Sequence, residues 1–142
     1  MDGTDIGEWS DKVEDLLVQC EGPAADPARL LEDLYRLLET GPAAVCGSLR
    51  PEISRSALQG LLDAGATESA ALRLLGRCTY MLSRGEEGMV IASVLTPTGE
   101  RDYSYNAFSE AVALSGALAT CLQEQVIAEG RMDRTGPRLK QS

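Results

Sequence analysis

Residues 77–128 constrain the fold more than any other stretch. They read as three short strands followed by one long helix. In residues 78–84, Cys78, Tyr80 and Leu82 alternate with Thr79, Met81 and Ser83, and the turn 85–88 follows. Residues 89–96 are apolar on both faces, which predicts the central and most covered strand, and the turn 97–99 closes them. Residues 100–106 place Tyr103 and Tyr105 on one face and Asp102, Ser104 and Asn106 on the other. Both connections are hairpin-short, so the sheet is expected to be an antiparallel meander in order 1-2-3. A helix over 109–130 then brings Ala111, Leu114, Ser115, Leu118, Ala119, Leu122 and Val126 to one face. Its many small residues suit close packing on the sheet.

The front of the chain is patterned for helices. Over 5–21, Ile6, Trp9, Val13, Leu16, Leu17 and Cys20 form one stripe that ends at Gly22-Pro23. Asp26 is placed to cap a second helix, Pro27 suits its first position, and Gly41-Pro42 ends it. Its face of Leu30, Leu31, Leu34, Tyr35, Leu37 and Leu38 is broad enough to meet two neighbours, or one neighbour and a second copy in a homodimer. Residues 43–49 read as a loop or one helical turn. A third helix is expected over 51–64, with Ile53, Ala57, Leu58, Leu61 and Leu62 inward and Gly65 at its end. Thr67 can cap a short fourth helix over 68–75. The fold class is therefore α+β: about four N-terminal helices, a three-stranded antiparallel meander and a long C-terminal helix packed on the sheet. Residues 1–130 form one domain, mainly helical over 1–66 and helix–strand–strand–strand–helix over 67–130. Residues 1–4 are expected to fray, and 131–142 to be a disordered basic tail.

Charge and cysteine usage narrow the function classes. Residues 1–40 hold 11 acids against 3 bases, whereas 41–142 hold 11 against 10, so the net charge of −9 belongs to the first two helices. Such a surface repels phosphate and attracts basic partners, so no direct RNA or DNA binding is expected. The chain has no histidine, and Cys20, Cys46, Cys78 and Cys121 form no Cys-x-x-Cys pair. That leaves no histidine-based triad or metal centre and no implied cofactor; a zinc site would need all four thiolates brought together from far-apart positions, and three of the four sit among apolar neighbours and read as small core residues. The N-terminus does not read as a signal peptide and no apolar run reads as long enough to span a membrane. The expected compartment is a reducing cytoplasm without membrane contact.

Two side-chain groups are candidates for binding. Asp11, Glu14, Asp15, Glu32, Asp33 and Glu39 can present a carboxylate array on the first two helices. Such an array can occupy the nucleic-acid groove of a basic partner protein. The alternative is a small-anion site on the sheet, with Arg84 and Arg101 supplying charge and Tyr103 and Tyr105 supplying stacking faces. Tyr80 and one tyrosine of the third strand serve equally well as core packing. Glu86-Glu87 reads as a solubilising hairpin tip rather than a catalytic pair.

The segments 70–75 (Ala-Ala-Leu-Arg-Leu-Leu), 95–99 (Leu-Thr-Pro-Thr-Gly) and 111–118 (Ala-Val-Ala-Leu-Ser-Gly-Ala-Leu) resemble a group of small phage and prophage α+β proteins. The resemblance covers 68–123 and implies a mobile-element context without an activity. This chain has Gly76-Arg77 where that group has Pro-x-Gly. The helix–three strands–helix order also resembles the double-stranded RNA-binding module. Here Ser109-Glu110 opens the final helix and no Lys or Arg lies between Asn106 and Glu129, so its phosphate contacts are missing. The expectation is a non-enzymatic protein-binding inhibitor, anti-defence in character as an anti-CRISPR protein is, acting by occlusion through the acidic face. A nucleotide-sequestering binder, and an immunity protein or secretion chaperone, are the alternatives.

Overall fold

The first helix, α1 (Ile6–Glu21), buries Trp9, Val13, Leu16 and Cys20 at the spacing its stripe predicts. Ile6 is exposed and lies outside that buried set. The computed structural model describes residues 6–22, 25–97, 99 and 101–141, with side chains described as far as residue 128. Helix α2 (Pro27–Thr40) starts as its sequence dictates: Asp26 Oδ1 accepts from Ala28 N–H at 3.2 Å, and Pro27 occupies the first turn, where a missing N–H costs nothing. Its six-residue apolar face is entirely buried within this chain, so the width that suggested a dimer contact is used internally.

Helix α3 (Ala43–Cys46) is a single turn continued by a 3-10 turn at Gly47–Leu49. Helix α4 (Arg55–Asp63) begins four residues later than the apolar pattern suggests. Ser54 caps it, its Oγ accepting from Ala57 N–H at 3.1 Å, and Ile53 is buried ahead of the helix rather than on it. Ala57, expected inward, is exposed. Helix α5 (Thr67–Leu75) includes Thr67 in its first turn; the cap position is Ala66, without a side-chain bond. The α4–α5 turn uses Gly65 at φ 76°, a conformation that costs glycine little.

Strands β1 (Thr79–Arg84), β2 (Val90–Leu95) and β3 (Tyr103–Ala107) form the expected antiparallel sheet in order β1-β2-β3. Pairings Leu82↔Ala92↔Tyr105 and Tyr80↔Val94↔Tyr103 put these side chains on one face. Helix α6 (Glu110–Gln141) packs on that face through β2 and β3, and also touches α1, α2, α3 and α5. The core is thus organised around α6. The other sheet face stays open: Val90, Ala92 and Val94 are buried, but Ile91, Ser93 and Leu95 are only half-buried. The expectation that β2 is covered on both faces is corrected accordingly, because α6 packs on β2 from the face of Val90, Ala92 and Val94.

Helix α6 continues past Gly130, where its end was expected, so helical backbone runs through 131–141; the side chains of that segment lie outside the described residues. One glycine costs a helix only about 1 kcal/mol, too little to stop it alone. Glu110–Ala128 is, by length and composition, apolar enough to cross a membrane, contrary to the sequence reading; 61% of that window is buried inside the fold. Scattered Ser, Thr and Gln do not cancel its Ala, Leu and Val. Residues 1–4, and Glu100 at the expected start of the third strand, lie outside the described residues.

Candidate protein-binding groove

Polar contacts from Trp9, Arg50 and Tyr35 hold the helical front together, those of Trp9 and Tyr35 buried and those of Arg50 nearer the surface. Trp9 Nε1 donates to Leu37 O at 3.0 Å, tying α1 to the last turn of α2. Arg50 Nη1 donates to Leu38 O and Glu39 O, both at 2.9 Å. A cation there meets the negative end of the α2 dipole and satisfies carbonyls the helix leaves open. Tyr35 Oη donates to Ile53 O at 3.2 Å, and the Arg55 guanidinium lies 5.6 Å from the centre of the Tyr35 ring.

The α1–α2 pair leaves a groove of about 340 Å³ on its outer side. Trp9, Leu16 and Leu37 contribute its apolar lining. Glu8, Asp15 and Asp33 supply carboxylates, and Lys12 and Arg36 supply cations. Trp9 is itself 1% exposed, so the groove is backed by the residue that ties the two helices together.

The six predicted acids divide. Asp15 and Asp33 face the groove from opposite helices. Asp11 and Glu14 are exposed on α1 and do not line it, and Glu32 is half-buried on α2. Glu39 is turned to α4, where Arg55 Nη2 meets its Oε1 at 3.2 Å. Arg36 Nη1 lies 3.7 Å from Asp33 Oδ1. The array is therefore a mixed-charge groove with a small acidic excess. Glu8, Lys12 and Arg36 belong to it and were not singled out from the sequence. Spacing of four residues from Glu8 to Lys12, and seven from Glu8 to Asp15, was the signal that could have found the α1 side.

The alternative sheet site is not assembled. Arg84 lies at the Val90–Ala107 end of the sheet, whereas Arg101 precedes Tyr103 at the other end. Six residues of extended chain separate the two ends, roughly 20 Å. Arg84 Nη2 is 3.5 Å from Glu110 Oε2. Glu68 joins that cluster: a hydrogen bond with Glu110 and the Glu110 charge hold its carboxyl above the ordinary range, while Arg84 pulls it down. Tyr105 packs over Gly116 of α6, and burial pushes its phenol up to about 12. Burial likewise raises Tyr103. Tyr80, read as possible core, is instead 44% exposed, because β1 is the edge strand.

The four thiols are buried and unpaired. Burial pushes Cys20, Cys78 and Cys121 up to about 11 and Cys46 to about 12, so all four are neutral and unreactive at physiological pH. Among the described residues no group of three or more His, Cys, Asp or Glu is arranged to hold a metal ion. No protein-family model, curated protein or solved structure matches this chain.

Proposed function

We propose that the chain is a non-enzymatic binding protein whose α1–α2 groove receives a basic segment of a partner protein. One observation carries this reading: an apolar lining formed with Trp9, Leu16 and Leu37 shares a groove with three carboxylates from two helices. Trp9, Leu16 and Leu37 form a nearly buried, rigid floor, and the charge around it selects the partner and speeds encounter. Lys12 and Arg36 make the groove discriminating, since a uniformly basic peptide meets repulsion there while a segment of alternating sign with a basic excess does not.

An inhibitory role follows from the same electrostatics. A basic segment that handles nucleic acid is occluded when the acidic helices occupy it. The mobile-element resemblance supports that version, and an immunity protein or secretion chaperone would use the same surface.

The test is capture of host proteins by the tagged chain at low and high salt, set beside a Glu8→Lys/Asp15→Lys/Asp33→Lys variant. The expected result is a basic partner retained at low salt, released at high salt, and lost in the variant while its circular dichroism is unchanged. Undiminished capture by the folded variant would remove the groove from consideration.

A further inference from the structure

The outer edge of β1 has unused bonding capacity. Gly85 N–H donates to Met89 O at 2.7 Å, which fixes the alternation of the β1–β2 ladder. Odd-numbered residues of β1 bond to β2. Tyr80, Leu82 and Arg84 therefore turn their N–H and C=O groups away from the sheet, and among the described residues no strand pairs with them. Edge strands are usually protected by proline, lysine or a bulge. The sequence Thr-Tyr-Met-Leu-Ser-Arg has none of these, and its pairing with β2 is continuous over all six residues. Its one charge, on Arg84, is directed to Glu110 of its own helix.

We infer that β1 pairs antiparallel with β1 of a second copy about a two-fold axis at Leu82, joining two sheets into one of six strands. The register is dictated by the chain itself. Paired residues must share a sheet face and the outward groups must meet each other, and an axis on Leu82 is the one that pairs all three outward residues, Tyr80, Leu82 and Arg84, within the strand. Centred on Leu82, the pairing sets Leu82 against Leu82 of the second copy and Tyr80 against Arg84 of the second copy. About six backbone hydrogen bonds form. The aromatic ring then faces a guanidinium on the same side of the sheet. Past the strand ends, the turn at Arg77 of one copy comes beside the Glu86–Gly88 turn of the second copy, which brings Arg77 near Glu87. Arg77 is 79% exposed at its side chain and only loosely engaged by Glu52 at 3.6 Å. No like charges are set opposite each other. The contact is isologous and closed, so it stops at a dimer. It involves none of the groove residues and stands or falls independently of the proposed partner.

Sedimentation equilibrium of the full chain from about 1 µM to about 500 µM is the test, a range that brackets affinities typical of a small interface. A monomer–dimer equilibrium is expected. Leu82→Pro removes an outward N–H, a change that edge strands tolerate, and should leave only monomer. Arg77→Glu and Glu87→Arg should each weaken the dimer about tenfold at low salt, since each turns two symmetry-related contacts repulsive. The double variant should restore it. The charge swap decides the matter if Leu82→Pro does not fold. A monomer throughout the range, a dimer indifferent to a folded Leu82→Pro, or a double variant no better than the singles would each overturn the assignment.

Discussion

The helical front and the sheet are held by different means. In the front, a few specific polar bonds cross between elements: Trp9 to Leu37, Tyr35 to Ile53, and Arg50 to the end of α2. Between the sheet and α6 there is instead close apolar approach, with Tyr105 laid over Gly116 and Ala111, Ala113, Ala117 and Ala119 of α6 buried. Directional bonds fix where helices end relative to one another. Small residues fix how near two surfaces lie. The front therefore has a defined groove, whereas the sheet has one tight face, one open face and, at β1, an open edge. Met81 on the open face is 65% exposed, and Phe108 just after β3 is 74% exposed.

Removing Trp9 should break the front most severely. Trp9→Ala empties a large buried site and leaves the Leu37 carbonyl without its indole donor, so we expect a loss of about 3–5 kcal/mol in urea unfolding. Trp9→Phe, which keeps most of the volume, should recover more than half of that loss. If the alanine variant costs less than about 1 kcal/mol, directional bonding is not what secures the front.

Gly116→Ala probes the other half. A Cβ there would run into the Tyr105 ring, and moving that ring disturbs the core face of β3. The expected cost is about 1–3 kcal/mol, with changed near-ultraviolet dichroism from the tyrosines. A neutral or stabilising result, as helix propensity alone predicts, would mean that the contact gives way easily.

The smallest effect sharpens the contrast by running in the opposite direction. Ser115 is 1% exposed, and among the described residues its Oγ has no hydrogen-bond partner. Ser115→Ala should raise stability by about 1 kcal/mol, because it deletes an unsatisfied buried hydroxyl and improves helix propensity. A loss measured by thermal unfolding would show that the hydroxyl is satisfied by bound water.

Much of this architecture was legible in the sequence. Breakers at Gly41-Pro42 and Gly76, alternation in β1 and β3, and short hairpins specify element order with little competition. The finer misses have physical causes. Ser54 outcompetes Pro51 as the start of α4 because its hydroxyl reaches Ala57 N–H, a bond that apolar periodicity does not report. Alternation marks Tyr80 as inward-facing but is silent on which strand forms the edge, where an inward side chain still meets water. Arg50 bonds carbonyls more than ten residues earlier in the chain, a relation no local pattern encodes. At the groove, carboxylate positions on α1 and α2 could be read, but not which of them face each other. That depends on how both helices rotate to bury Leu16 and Leu37 against their neighbours.

The burial of all four thiols has a further consequence. Histidine, together with cysteines of lowered pKa, is what normally lets a protein change its charge between about pH 6 and pH 8. This chain has no histidine, and it holds its cysteines at about 11 to 12. Across neutral pH neither residue type alters the charge it presents. Association through its charged surfaces should therefore follow ionic strength closely and acidity hardly at all, so that the molecule behaves as a fixed electrostatic template.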